Sequence, residues 1–433
     1  VNKLAINGGD KVRSSLFPSY DLIGEEEISA VTEVMRTGVL SKFLGCWDPD
    51  FFGGEQIQAL EKEWASYFGV KHAITVNSNT SGLICSVGAL KLGPGDEIIV
   101  SPYSMSASAS VPLFYGVIPV FADIDEEFFC IDPVDVRKKI TKKTKAIISV
   151  DIFGSPYLHE ELRKISKEFN IPIIEDCAQA PGAKYGDLFC GNLGDLGVFS
   201  LNYHKHIHTG EGGIIVTNDD DLALRCRLIR NHAEVVVDSM QYKGDLTNLV
   251  GFNMRMTEIE ATIARVQLKK LQGLVDVRIE NVRYLESKLS KIDFLTMPKL
   301  IPNSKHVYYV HAIKFDSKKA GISRELFVKA VKAELPESKE REGEGPLMGV
   351  GYVKPLYLQS LYQKKIAIGN QGFPFNLSNN TCYEDGLCPV TERMHREELI
   401  THELMRPGMT RQDLDDVIAA FYKVAENLSE LKK

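Results

Sequence analysis

Residues 175–213, EDCAQAPGAKYGDLFCGNLGDLGVFSLNYHKHIHTGEGG, decide how the chain is read. The stretch begins at the end of an apolar run, Pro172 to Glu175, which reads as a strand closing on two carboxylates, Glu175 and Asp176. A second run, Gly197 to Ser200, also ends in polar residues. A lysine flanked by histidines follows, His204-Lys205-His206, and then Gly210-Glu211-Gly212-Gly213. Two glycines before a β run fit a tight turn returning to the sheet. Ligands of open α/β sheets bind beyond the carboxyl ends of the strands, so acids placed there are candidates for function. Asp176 and Lys205 are therefore expected at the edge of one sheet. Two readings of that pair stay open. One is a surface ion pair. The other is a Schiff-base lysine, an amine pushed toward neutrality by desolvation so that it attacks carbonyls.

Outward from this stretch, short apolar runs alternate with helical patterns. Ala73 to Val76, Glu97 to Val100, Ile118 to Phe121, Lys145 to Val150 and Gly213 to Thr217 read as further strands. They are too continuously apolar for one-sided strands, which implies burial on both faces. His159 to Phe169 carries Leu162, Ile165 and Phe169 at helical spacing. The fold class is α/β, a sheet with helices on both faces. A long helix is expected from Thr257 to about Leu289. Beyond it, Val307 to Phe315 reads as a strand, Arg324 to Glu334 as a helix and Arg411 to Leu431 as a final helix. The domain boundary is set near residue 270, dividing 1–270 from 271–433.

Composition narrows the function classes. The 433 residues are 44% apolar and 25% charged, ordinary for a globular chain. The net charge of −7 argues against nucleic-acid binding. No apolar run approaches the roughly 20 residues that span a bilayer, and the first nine residues show no signal-peptide core. The eight cysteines include no C-x-x-C pair and no compact Cys/His cluster, so they are expected reduced, in a cytoplasmic protein with no metal. Glu337 to Gly351 is charged and then glycine-rich, either a lid or a solvated loop. His395 to His402 lacks the H-E-x-x-H spacing and is expected on a surface helix. His204, His206 and His208 would share one face of a strand, where contact with an anion is the better reading than a metal. Ser78-Asn79-Thr80-Ser81 follows a strand and precedes a helix pattern at Gly82 to Leu90. Such residues cap a helix, and the same backbone amides can hold a phosphate.

Taken in order, several pieces resemble the DegT/DnrJ/StrS family of sugar aminotransferases, fold-type-I enzymes that use pyridoxal 5'-phosphate (PLP). The pieces are Leu4 to Gly9, Gly95 to Val100, Glu175 to Ala180, Ser200 to Gly213 and Gly251 to Met256. The resemblance covers nearly the whole chain. It implies a large domain with a mixed, mostly parallel sheet flanked by helices and a smaller α+β C-terminal domain. It also implies roles. Lys205 would bear the cofactor and shuttle the proton, and Asp176 would pair with the pyridine nitrogen. Gln179 would bond the ring hydroxyl, and Thr80 and Ser200 would contact the phosphate with Asn79 supplying backbone. Asn253 would reach the phosphate of a neighbouring subunit, which implies a homodimer. Two departures stand out. Asn79 replaces the usual glycine, and Met105 falls where an aromatic ring usually covers the pyridine. Relatives with histidine at the lysine position act as dehydratases, and Lys205 favours amino transfer. The donor implied is glutamate. The acceptor implied is a keto- or aldehydo-sugar, with C8-oxidised 3-deoxy-manno-octulosonate, a lipopolysaccharide precursor, ahead of a nucleotide-linked keto sugar. A non-catalytic PLP-binding sensor is the rival of another class.

Overall fold

The computed structural model describes residues 3–338, 346–378 and 382–432. The centre of the expected lid, residues 339–345, lies outside the described residues. Seven strands form the main sheet: β1 (His72–Val76), β2 (Glu97–Val100), β3 (Ile118–Phe121), β4 (Thr144–Val150), β5 (Ile173–Asp176), β6 (Leu196–Ser200) and β7 (Gly213–Thr217). Their order is β1-β7-β6-β5-β4-β2-β3. Only β7 runs antiparallel to its neighbours. The continuous apolar runs have a direct cause. Successive residues alternate between two hydrophobic clusters, with Ile147, Ile173, Phe199 and Ile214 in one and Ile148, Ile174, Val198 and Ile215 in the other. Both faces are thus dry, as the strand period of two requires.

Helices cover the two faces. α1 (Glu25–Thr37) and α2 (Glu55–Phe68) pack against the long helix α6 (Glu258–Leu289), while α3 (Asn79–Ala89) packs against α5 (Asp220–Arg230). α4 is His159–Phe169, with Leu162 and Ile165 buried as its spacing predicts, whereas Phe169, the third apolar residue of that spacing, is 40% exposed at the end of the helix. α6 (Glu258–Leu289) starts with a capping box, in which Thr257 Oγ1 accepts from Glu260 N and the Glu260 side chain accepts from Thr257 N. Residue 270 lies inside this helix. Its first half joins a main-sheet cluster through Ala261, Ala264 and Leu268. Its second half, through Val282, Leu285 and Leu289, joins a third cluster.

That third cluster lies on a small antiparallel sheet of β8 (Leu295–Thr296), β9 (His311–Phe315), β10 (Met348–Val350) and β11 (Leu399–His402), ordered β8-β9-β11-β10. α7 (Arg324–Glu334) and α8 (Arg411–Glu426) complete it with Phe327, Val331, Leu414 and Phe421. Leu4, from the other end of the chain, is buried in the same cluster.

Three local expectations are corrected. The strand expected from Val307 starts only at His311, because the preceding residues bond to another loop: Val307 N reaches Gly154 O and Tyr309 N reaches Phe153 O. The last helix ends at Glu426, where Asn427 leaves helical geometry before a short 3-10 turn at Leu428–Leu431. His395 to His402 is not one surface helix. A π-helical turn, Met394–Glu398, leads into β11, and His402 is buried with its Nε2 2.9 Å from His311 Nδ1. Among the described residues no helix is long and apolar enough to cross a membrane.

Candidate active site

The carboxyl ends of β4, β5 and β6 and the start of α3 converge on a pocket of about 270 Å³. Seven residues expected at the site line it together: Asn79, Thr80, Met105, Asp176, Gln179, Ser200 and Lys205. Asp176, the last residue of β5, is 4% exposed. Its Oδ2 accepts from Ser108 Oγ at 2.7 Å, and its Oδ1 accepts from Ala178 N at 3.2 Å and Asn79 Nδ2 at 3.3 Å. Burial pushes this carboxyl up. The hydrogen bonds from Ser108 and Ala178, the Lys205 charge and the Asn79 amide pull it back. The departure at Asn79 therefore has a structural use, since its amide also donates to Val198 O at 3.1 Å and ties the acid to the end of β6.

Lys205 sits in the loop between β6 and β7 and is 6% exposed. Its Nζ donates to Tyr309 Oη at 3.3 Å and lies 4.4 Å from the centre of that ring. Burial pushes the amine down to about 8, against the carboxylates of Asp176 and Glu403. A surface ion pair is excluded, because both charged groups are buried. Gln179 is held from both ends: Oε1 accepts from Phe153 N at 2.7 Å and Nε2 donates to Tyr352 Oη at 3.0 Å.

The start of α3 forms the anion end of the pocket. The helix begins at Asn79, three residues before the expected start. Ser78 is its N-cap and accepts from Ser81 N at 3.1 Å, and Ser78, Asn79 and Thr80 at the helix start line the pocket, where uncapped first-turn N–H groups suit an anion. The approach is close. A Cβ added at Gly213 would lie 2.5 Å from Ser78 C and O and 2.7 Å from Asn79 N. The last glycine of the quoted stretch thus permits β7 to pass under the helix start. A buried acid, a buried lysine of lowered basicity and a helix N-terminus in one pocket fit PLP: ring nitrogen, aldehyde and phosphate each find a partner.

Asn253 is the one expected residue outside the pocket. It is exposed, and its Oδ1 accepts from Arg255 Nε at 2.9 Å. The three histidines do not lie on a strand. His206 is buried with Nε2 2.9 Å from Val307 O, His208 Nδ1 accepts from Gly210 N at 3.3 Å, and only His204 lines the pocket. Ser108, Tyr309 and Tyr352 were missed by the sequence reading. A serine-rich run conceals Ser108, and the two tyrosines come from beyond residue 270. The sequence reading also missed that the fold gathers Asp151, Glu175 and Cys177 behind the sheet, with ligand-type atoms within 4.8 Å of one another. Arg230 is structural: it is fully buried, with Nη1 2.9 Å from Glu61 Oε1.

Comparison with known proteins agrees with this geometry. The model of the DegT/DnrJ/EryC1/StrS aminotransferase family matches residues 21–422. The chain is similar to spore coat polysaccharide biosynthesis protein SpsC of Bacillus subtilis, 30% identical over 93% of this chain and 95% of that one. It is also similar to GDP-perosamine synthase of Caulobacter vibrioides, 33% identical over 88% of this chain and 94% of that one. Among solved structures, an aminotransferase from Psychrobacter cryohalolentis superposes with a TM-score of 0.78 at 26% identity, covering 96% of this chain and all of that one.

Proposed function

The chain belongs to the DegT/DnrJ/EryC1/StrS family of PLP-dependent sugar aminotransferases, and from that premise we propose that Lys205 and Asp176 carry an amino transfer from glutamate to a keto- or aldehydo-sugar. The observation that carries the reading is the buried Lys205 amine in one pocket with the buried Asp176 carboxylate. PLP, when bound, supplies the electron sink for moving an amino group and a Cα proton. Asp176 would hold positive charge at the ring nitrogen, supported by Ser108. Gln179 would bond the ring hydroxyl. Ser200, Thr80 and the backbone at Asn79 would hold the phosphate, and Met105, which lines the pocket but is 57% exposed, would lay its thioether on the ring. Lys205 would accept the donor's Cα proton and return it to the carbon on the other side of the donor nitrogen. The two half-reactions use the same groups in opposite directions, so kinetics are ping-pong.

The acceptor we put first is C8-oxidised 3-deoxy-manno-octulosonate, giving 8-amino-3,8-dideoxy-manno-octulosonate for lipopolysaccharide. Resemblance of the whole chain supports it. A nucleotide-linked keto sugar is the second reading, supported by the similarity to GDP-perosamine synthase. A cytoplasmic location suits eight free cysteines, six of them buried.

The active form in this reading is a homodimer, with Asn253 of one subunit completing the other's site. Exposed apolar side chains support it. Leu40, Leu44 and Trp47 lie against the 231–258 region through Glu258 N to Leu40 O, Asn231 Nδ2 to Leu44 O and Trp47 N to Ser239 Oγ. Val235, Val250 and Phe252 of that region are exposed as well. The division at residue 270 has a use here, since Tyr309 and Tyr352 of the second unit reach Lys205 and Gln179 of the first.

The test is the visible spectrum of protein with PLP, before and after glutamate without sugar. A yellow band that bleaches while 2-oxoglutarate appears supports the reading. A band that glutamate leaves unchanged points to another donor or to a sensor. No band at all overturns it. Turnover of the octulosonate aldehyde against GDP- and TDP-linked keto sugars then decides the acceptor.

A further inference from the structure

Tyr309 stands outside every role assigned above, yet it is the residue on which Lys205 rests. It is 6% exposed, its Oη accepts the 3.3 Å hydrogen bond from Nζ, and its ring face lies 4.4 Å from the same nitrogen. The tyrosine is itself held firmly. Tyr309 N donates to Phe153 O at 2.8 Å and Val307 N to Gly154 O at 2.9 Å, while His206 Nε2 meets Val307 O at 2.9 Å. On the next residue, Arg278 Nη1 donates to Tyr308 O at 3.2 Å. Phe153 is the junction. It is buried in the left-handed region at φ 60°, a conformation uncommon for a bulky residue. That conformation lets its N–H serve Gln179 and its C=O serve Tyr309.

We infer that Tyr309 is a positioning residue for amino transfer, which holds Lys205 between proton acceptance and proton return by receiving one N–H of its ammonium form and facing it with the ring. The inference rests on the proposed role of Lys205. The proton balance is simple. Lys205 would take one proton from the donor Cα and become an ammonium, while bound PLP would take up the electron pair; the ammonium would then give one proton to the carbon on the other side of the donor nitrogen and return to the amine, with Tyr309 keeping its own proton throughout. The charged and titratable groups facing Nζ are Asp176 from β5, Glu403 beyond β11, Tyr309 and the neighbouring His206. Of these, Tyr309 receives a 3.3 Å hydrogen bond from the amine through an uncharged hydroxyl. Loss of its hydroxyl thus weakens the ammonium form without removing a charge.

The experiment compares the full-length PLP-loaded protein with its Tyr309→Phe variant, which removes one oxygen and keeps the ring. Bleaching by glutamate is followed from pH 6 to 10, with C2-protonated and C2-deuterated glutamate, together with PLP retention and melting temperature. We expect the plateau rate to fall about tenfold or more. We also expect the acid limb of the profile to move to lower pH and the deuterium effect to grow, while PLP retention and melting temperature stay within error. A merely structural role would lower retention or melting without moving the limb, and would overturn the inference. So would a variant whose plateau and limb match the parent. If the parent protein forms no band with PLP, the proposed function fails first, and the inference with it.

Discussion

Asp176 shows how much of a site lies in contacts that sequence spacing does not announce. Ser108 Oγ, 68 residues away, gives it a 2.7 Å hydrogen bond. A hydrogen bond to a charged group contributes about 1.5–3 kcal/mol. Ser108→Ala is therefore expected to push the Asp176 carboxyl further up and to weaken PLP binding about tenfold. An absorbance titration with PLP measures this, and unchanged affinity would show that Ser108 only fills space. Lys205→Ala should abolish glutamate-dependent bleaching while leaving the melting temperature intact. Asp176 and Lys205 were legible in the sequence because strand ends and glycine turns are local signals. Tyr309 and Ser108 were not, because each reaches the site through a loop whose path is set by distant packing. The histidines beside Lys205 misled for the same reason: their loop is shaped by Val307 and Tyr20, not by strand alternation.

At the scale of elements, the loop at residues 191–194 depends on one buried acid. Glu175 accepts from Gly191 N at 3.0 Å and Leu193 N at 2.7 Å, and also from Gly194 N. Burial pushes Glu175 up to about 7 despite these bonds, and burial together with the Glu175 charge pushes the neighbouring Asp151 carboxyl up. Neither Asp151 oxygen makes a hydrogen bond of ordinary geometry; the thiols of Cys177 and Cys190 and the Tyr157 N–H lie nearest. A carboxyl raised by folding contributes stability that is present below its unfolded value and lost as pH rises through its folded value. Unfolding stability should therefore fall between pH 4.5 and 7 through Glu175, with the raised Asp151 carboxyl adding to the fall. Asp151→Asn relieves the repulsion and should flatten that slope, with a gain on the order of 1–3 kcal/mol at pH 8. Urea unfolding at pH 5 and pH 8 measures both, and a slope unchanged in the variant would remove Asp151 as its cause. Gly213→Ala tests the turn itself. A methyl group 2.5 Å from backbone at Ser78 must displace the start of α3, so PLP affinity should drop at least tenfold while β7 keeps its register. The seven strands of the main sheet were readable because burial on both faces leaves an unbroken apolar run. The strand at β9 was overextended, because residues 307–310 are equally apolar but spend their backbone bonds on Phe153 and Gly154.

At the scale of the whole molecule, the decisive question is whether Asn253 serves its own site or a neighbour's. Asn253 is exposed and lies outside the pocket of its own chain. Nearby apolar residues, Phe252 at 36% and Val250 at 65% exposure, lie open on the same segment. A polar residue with a functional role in such a setting needs a second surface to face. Complementation separates the two geometries. Lys205→Ala has no amine, and Asn253→Ala would lack the phosphate contact proposed for it. In a mixed dimer with shared sites, one pocket carries both defects and the other carries neither. Co-expression of the two differently tagged variants, followed by isolation of the mixed species, should thus restore about half of the parent's bleaching rate per dimer. If Asn253 acts within its own chain, each pocket keeps one defect. The mixed species then shows no more activity than the average of the two pure variants, and the shared-site dimer is wrong.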